Sequence, residues 1–521
     1  MATLMRKQDT AGAGAHGFSI ERVRRSLIHF FVGKGVGMLL GFGLLLVLVR
    51  ALSVEHYGFY VATLALLEIM QQTTSFGLLV AAQRYLPELL AQQEGRRLAR
   101  LLVWLSLARA ITLLAGVGVL YFLTEPLARL MGFDGYAGLI RLYLLVIFFE
   151  GFARFLDVVF DSMLMQGASQ TSLILRSAMR LGLVLLAFVS LGHEIPLEQW
   201  VLIDLSAAVL GCGFGLFSLV RFARRVRQDH PGTDASLEID RYKAYSLPIY
   251  VAATLYTASG VNTVKIIAVR VLQTAEFGAF GFAAAFSAML QRYLPLFLLI
   301  GMIRPLFVAA RQRPDFRVRL PILAKLIFKL NVFALAPATA FLYVCGEPLA
   351  DLITGGKFPQ AAGFLLAFLA LLLAQALRAI VSMTAQALEE ARAPLFGTLL
   401  GLCGLPIGVA LSMPFGAYGL VIGLALSELL FCGWVAASLM REGLSLKMDW
   451  AGLAKILFAT LMAMAAASLP GIGQPRGVLA LLSCAGLIAA TYLVVAYALK
   501  PFALAEREMI NKILKRKIFV W

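Results

Sequence analysis

"VRALSVEHYGFYVATLA", residues 49–65, and "VRVLQTAEFGAFGFAAA", residues 269–285, are two versions of one segment. At a fixed offset of 220 both run Val, Arg, any residue, Leu, then an aromatic residue, Gly, any residue and a second aromatic residue, and both close on Ala. The same offset carries Arg84 onto Arg304. Each segment ends one long apolar run and opens the next, so each reads as the turn between two membrane-crossing helices. Six spans separate the copies, an even number, so the halves run the same way through the bilayer as a parallel repeat.

The composition agrees with a membrane setting. The 521 residues are 60% hydrophobic and only 14% charged, where soluble domains are nearer half and a quarter. The net charge of +17 does not point to nucleic acid, because in so apolar a chain basic residues are first explained by cytoplasmic loops. Cys212, Cys345, Cys403, Cys432 and Cys484 stand singly inside apolar runs and read as small core hydrophobes. The polar N-terminus has no short apolar core followed by a cleavage site, so the first span is expected to stay as an anchor.

Stretches of about 20 apolar residues cross a bilayer as helices. Fourteen are expected, at roughly 27–49, 57–82, 101–123, 137–163, 168–191, 199–220, 245–268, 277–302, 327–346, 361–387, 394–412, 416–438, 451–469 and 477–499. With the N-terminus inside, the inner segments hold thirty-one of the 46 Lys and Arg and the outer ones five. That asymmetry puts both termini in the cytoplasm. The expected fold is therefore all-α and polytopic. It divides into a cytoplasmic segment (1–26), an N-lobe of six spans (27–220), a cytoplasmic linker (221–244), a C-lobe of six spans (245–440), an extra helix pair (441–500) and a basic amphipathic tail (501–521) expected at the membrane surface. Two lobes of this kind are expected to enclose a central site.

Ten cations and six acids fall within the spans, and each costs roughly 2.5 to 3.5 kcal/mol at a helix centre facing lipid. They are expected to face a polar interior. In "FFEGFARFLDVVFD", 148–161, Glu150, Arg154, Asp157 and Asp161 are spaced 4, 3 and 4 and share one helix stripe. The next span offers Arg176 and Arg180, and counting outward from the turn near Gly167 sets Asp157 near Arg176 and Arg180 nearer Arg154. This cluster reads either as a network holding helices together or as a transport wall that rearranges. Glu68 lies mid-span without a local cation, and reads either as a coupling-proton carrier or as a carboxyl hydrogen-bonded to a neighbouring helix. Asp204 allows the same two readings. Arg292 and Arg378 have no acid nearby in sequence, and Lys34 lies about 10 Å deep at 1.5 Å per residue. Guanidinium groups match phosphate oxygens, so these cations read as ligands for an anionic cargo unless acids on other helices pair with them.

Two six-helix bundles plus an extra pair, with "LLVLVRALSVEHYGFYVATLALLEIMQQTTSFGLLVAAQRYLPEL" at 45–89, resemble the polysaccharide transporter (Wzx-like flippase) family of the multidrug/oligosaccharidyl-lipid/polysaccharide exporter superfamily. The likeness covers about residues 25–440 and rests on span layout and the aromatic-Gly-x-aromatic turn; beyond Arg50 to Tyr60 no family residue is carried over. The resemblance implies a flippase that moves a polyprenyl-pyrophosphate-linked oligosaccharide to the outer leaflet of a bacterial cytoplasmic membrane by alternating access. The alternative is an ion-coupled multidrug or metabolite antiporter of the same superfamily.

The partners so implied are membrane lipids, the lipid-linked anionic oligosaccharide, a coupling ion that the residues leave open between proton and sodium, and polysaccharide polymerase machinery. No cofactor, metal or nucleic acid is expected. An enzyme is not expected either: the outer loops are short, the histidines at 16, 29, 56, 193 and 230 are scattered singly, and no nucleophile or metal-ligand motif occurs.

Overall fold

The computed structural model describes residues 20–521 except 192–194, 230–235, 301–302, 304–306, 308–309, 312–313, 389, 391, 446–447, 470–476, 515–516 and 518. Residues 1–19, most of the expected cytoplasmic N-terminal segment, and Arg304 of the repeat thus lie outside the described residues. Among those described, every regular element is helical. Those of ten residues or more are, in order, α1 (Ile20–Ala51), α2 (Val54–Thr73), α3 (Leu78–Ala91), α4 (Gly95–Phe122), α5 (Ala137–Ser162), α6 (Gln166–Leu191), α7 (Leu197–Asp229) and α8 (Ile239–Ala258). There follow α9 (Val261–Val271), α10 (Thr274–Gln291), α11 (Phe316–Thr354), α12 (Ala361–Ala387), α13 (Arg392–Gly401), α14 (Gly404–Phe415), α15 (Ala417–Arg441), α16 (Trp450–Ala467), α17 (Val478–Leu499) and α18 (Leu504–Leu514). The chain packs into two compact units, Met1–Thr254 and Leu255–Trp521.

Ten helices among the described residues are long and apolar enough to span a membrane, or eleven if the bent pair α2 and α3 is one span. The other three expected spans depart from that pattern for separate reasons. α5 is long enough but carries Arg141, Glu150, Arg154, Asp157 and Asp161. The seventh span, expected to be continuous, is interrupted at Ser259 and Gly260 between α8 and α9. The eighth, also expected to be continuous, ends at Gln291: Leu294 is extended (ψ 141°) ahead of Pro295, as the clash with a following proline ring requires. The segment expected as a polar linker is largely helical, since α7 runs on to Asp229 and α8 begins at Ile239.

The repeat is visible in the helix ends. α1 stops at Ala51 and α2 starts at Val54; 220 residues on, α9 stops at Val271 and α10 starts at Thr274. The intervening residues Ser53 and Gln273 have matching extended backbones, ψ 164° and 153°. α7 and α15 also begin 220 residues apart, at Leu197 and Ala417. Of the motif's aromatics, Tyr57 in the first copy and Phe277 and Phe280 in the second are at most 2% exposed and Tyr60 is half-buried; burying such a ring is worth about 1.5–3 kcal/mol. The glycine between the aromatics has a packing reason in the second copy: a Cβ on Gly278 would stand 2.5 Å from the Phe358 ring.

The second span turns by 56° between α2 and α3, where Phe76 (φ 42°) and Gly77 (φ 81°) adopt left-handed backbone. Arg109 of α4, fully buried, holds this break. It donates to Thr74 Oγ1 at 3.1 Å, to Gln71 Oε1 at 2.8 Å and to the Gln71 carbonyl at 3.2 Å. A cation beside the last carbonyls of a helix also faces the negative end of its dipole. Tyr250 of α8 donates to the Thr73 carbonyl at 2.6 Å from another side.

The C-terminal tail, expected as a surface-lying amphipathic helix, packs into the second unit. Phe502 and Ile510 are buried against Leu326 of α11, and Trp521 Nε1 donates to the Leu493 carbonyl of α17 at 3.2 Å. Lys329 of α11, 1% exposed, reaches Glu506 Oε2 at 2.6 Å, the Pro501 carbonyl at 3.1 Å and the carboxylate of Asp449. A buried ammonium of this kind is tolerated only when its hydrogen bonds are satisfied. This packing was not legible in the sequence, because the partners of Lys329 lie 120 and 177 residues away.

Candidate functional site

In the first unit, three guanidinium groups from two helices converge on one carboxylate, and two further helices join through those cations. α5 presents Glu150, Arg154, Asp157 and Asp161 along a stripe set by its helical period, and α6, returning beside it, presents Arg176 and Arg180. Glu150 accepts from Arg154 Nε at 2.9 Å, Arg176 Nη1 at 2.7 Å and Arg180 Nη2 at 3.4 Å. Each guanidinium has a second acid. Arg154 Nη1 reaches Glu68 Oε1 of α2 at 2.6 Å, Arg176 pairs with Asp157, and Arg180 reaches Asp204 Oδ1 of α7 at 2.5 Å. Glu150, Arg176 and Asp204 are 5%, 3% and 4% exposed. Gly211 of α7 leaves the room this needs, since a Cβ there would lie 2.2 Å from Arg176 Cδ.

For Glu68 and Asp204 the structure shows the partner on a neighbouring helix that one of their two readings expected. Glu68 is not a lone carboxylate, because Arg154 crosses from α5 to meet it. Asp204 likewise faces Arg180. The expected neighbour relations within the stripe hold: Asp157 meets Arg176, and Arg180 and Arg154 share Glu150. Farther along α5, Asp161 takes a hydrogen bond from Ser169 and lies in the field of Lys34, which is half-buried on α1. The network thus ties α2, α5, α6 and α7 together in alternating charge, and removing a cation takes a partner from the acid at its outer end, Glu68, Asp157 or Asp204, while Glu150 keeps two partners.

The second unit carries a smaller counterpart. Arg378 stands as far into α12 as Arg154 does into α5, and it is not the unpartnered cation its sequence neighbourhood suggests. Its Nη1 donates to Glu428 Oε2 of α15 at 3.3 Å and its Nη2 to Thr398 Oγ1 of α13 at 3.2 Å. The guanidinium lies 3.6 Å from the Phe431 ring centroid and 4.2 Å from that of Tyr256, and Tyr256 donates to Glu428 Oε1 at 2.9 Å. Arg292 behaves differently from both. It caps the C-terminus of α10, where the eighth span breaks; its side chain is exposed, and it forms no ion pair among the described residues.

Two further polar groups escaped the sequence reading. Glu276, in the first turn of α10, accepts from the Ala417 amide at 2.7 Å and so caps α15; an acid in a helix's first turn was the available signal. Arg109 was visible as a mid-span cation with no acid on its own helix, but its part in the break of the second span depends on α2. Among the described residues no group of three or more His, Cys, Asp or Glu side chains could hold a metal ion.

Residues 23–264, the part that holds the ion network, match the polysaccharide biosynthesis protein family. No curated protein matches the chain. Among solved structures, the chain is similar to the lipid II flippase MurJ in an inward closed conformation, with TM-score 0.68 and 13% identity, over 94% of this chain and 100% of that one. An inward-facing multidrug resistance MATE transporter of the MOP superfamily aligns with TM-score 0.58 and 16% identity, over 80% of this chain and 98% of that one. The MATE transporter VcmN of Vibrio cholerae, as a mutant, aligns with TM-score 0.54 and 18% identity, over 81% and 99%. The chain is a multi-pass membrane protein with the MurJ and MATE transporter fold, and the resemblance read over about residues 25–440 meets a family match over residues 23–264.

Proposed function

We propose that this chain, whose residues 23–264 match the polysaccharide biosynthesis protein family, is a flippase that carries a polyprenyl-pyrophosphate-linked oligosaccharide, a polysaccharide or O-antigen repeat unit, from the cytoplasmic to the outer leaflet by alternating access. The observation that carries this reading is the match itself, on the half holding the ion network and on a fold shared with a lipid II flippase. It is a transporter in this reading and not an enzyme. The charge asymmetry of its loops supports a bacterial cytoplasmic membrane location with both termini inside, beside polysaccharide polymerase machinery.

The residues take different parts. Arg292, exposed at a helix break and without a carboxylate among the described residues, is assigned to the pyrophosphate, whose oxygens a guanidinium meets in bidentate geometry. Lys34 is assigned to the same anion when it leaves Asp161. Arg154, Arg176, Arg180 and Arg378 are held by Glu68, Glu150, Asp157, Asp204 and Glu428, so they act on the cargo only if those pairs exchange. Such exchange, coupled to uptake of a proton or sodium ion by an acid such as Asp161, is the step we assign to the network.

The test is the lipid extract of cells depleted of this protein. Accumulation of polyprenyl-pyrophosphate-linked oligosaccharide on the cytoplasmic face, relieved by the wild-type gene and not by Arg292→Ala, is expected. A normal lipid profile would overturn the reading. Because the fold is shared with multidrug transporters, the second reading is an ion-coupled drug or metabolite antiporter; a normal lipid profile with altered sensitivity to organic cations would favour it.

A further inference from the structure

The five cysteines read from the sequence as isolated core residues, yet two of them meet. Cys345 of α11 and Cys484 of α17 lie 139 residues apart in sequence, and their sulfurs stand 2.7 Å from one another. Both are at most 1% exposed. They sit where α11, α16 and α17 press together over small side chains, among them Ala336, Ala340, Ala459 and Ala463. Small residues let helix backbones approach closely, and a disulfide needs such an approach, with its Cβ atoms about 3.5–4.5 Å apart.

The position along the helix is informative. Cys345 is 16 residues beyond Lys329, which at 1.5 Å per residue places them roughly 24 Å apart, near opposite faces of a bilayer core about 30 Å thick. Two residues past Cys345 comes exposed Glu347, and then the exposed Asp351, so the thiols lie just inside the charged end of the span. Charge asymmetry assigns that end to the outer side, the side on which disulfides form and persist.

We propose that Cys345 and Cys484 form a disulfide that staples α17 to α11. The oxidant is a protein disulfide donor of the outer compartment, acting by thiol–disulfide exchange. One cysteine thiolate attacks the donor disulfide, forms a mixed disulfide and releases one donor sulfur as a thiol. The second thiolate then displaces the other donor sulfur, so the donor leaves as two thiols carrying the two protons and two electrons the cysteines lose. Exchange takes place before the helices close, while the thiols are still reachable. The consequence is mechanical. Lys329 ties α11 to Asp449 and Glu506 at one face, the disulfide ties α11 to α17 at the other, and α11 and the extra helix pair then move as one body.

The bond is read directly by differential alkylation of the full chain in membranes from its native cells. Cells are quenched in acid, free thiols are blocked with N-ethylmaleimide in denaturant, and the protein is reduced and labelled with a maleimide-linked polyethylene glycol. Two adducts on the wild-type chain, and none on Cys345→Ser or Cys484→Ser, are expected. Blocking of all five cysteines before reduction would overturn the proposal whatever the variants do, and so would adducts that persist in Cys345→Ser.

Discussion

Arg176→Met removes the guanidinium that Glu150 and Asp157 share, and the consequences for the two acids differ. Glu150 keeps Arg154 at 2.9 Å and Arg180 at 3.4 Å, whereas Asp157 loses the one ion pair it makes among the described residues. Removing one partner of a buried pair costs about 3–5 kcal/mol; since the Asp157 side chain is 16% exposed, the lower end, about 3 kcal/mol, is expected. For a unit of 254 residues, about 2 °C of melting temperature accompanies each kcal/mol, so the drop should be about 6 °C. Adding Asp157→Asn removes the stranded charge and should restore about 2–4 °C, a coupling of about 1–2 kcal/mol, within the usual range for contacting residues. Tryptophan-fluorescence melting of the purified protein in detergent reads all four corners of the cycle. If Asp157→Asn lowers the melting temperature by the same amount in both backgrounds, the two side chains are not coupled and the ion-pair account of the network is wrong.

Arg109→Met should leave the protein in the membrane but loosen the break of the second span, because three hydrogen bonds to Gln71 and Thr74 are lost. Amide exchange over 71–77 should accelerate at least about tenfold, as a loss of 1.4 kcal/mol or more requires; unchanged exchange would remove Arg109 from that role. Gly423→Val should abolish accumulation of folded protein. Its Cβ would stand 2.4 Å from Gly408 Cα and 2.7 Å from the Gly404 carbonyl, backbone atoms that cannot swing aside. Gly433→Val, with nothing within 4 Å, should be tolerated, and equal blot levels for the two would contradict the packing account. Outside the spans, hydrogen bonds from Arg241 and Arg97 hold the Glu238 carboxyl below the usual carboxylate range. A depressed carboxylate contributes stability that is complete above its unfolded pKa, about 4.3, and is lost as pH falls through the folded value. The melting difference between wild type and Glu238→Gln should therefore be flat above about pH 5 and shrink below about pH 4; a difference that grows on acidification would reverse the assignment.

How far the sequence could be read depended on the range of the interaction concerned. Helix placement, the repeat and the stripe on α5 follow from periods of a few residues and from chain-long hydropathy, and the matching breaks at Ala51 and Val271 sit where the repeated motif puts them. The breaks at Ser259 and after Gln291 were less legible. Pro295 was in view, but a proline inside an apolar run only biases the backbone, and whether a membrane helix bends or stops there depends on what its neighbours satisfy.

Pairing was the harder matter. Within one helix or one hairpin, spacing alone placed Asp157 beside Arg176. Glu68 with Arg154, Asp204 with Arg180, Arg378 with Glu428 and Lys329 with Glu506 join residues 24 to 177 positions apart, and nothing local distinguishes a paired ion from a free one. The sequence by itself determined that this chain crosses a membrane many times as two repeated halves, because apolar run length and loop charge are properties of the chain. The tertiary structure alone decided which buried ions neutralise one another and which cysteines meet, because Coulomb and sulfur contacts act over a few ångströms and only packing brings distant residues that close.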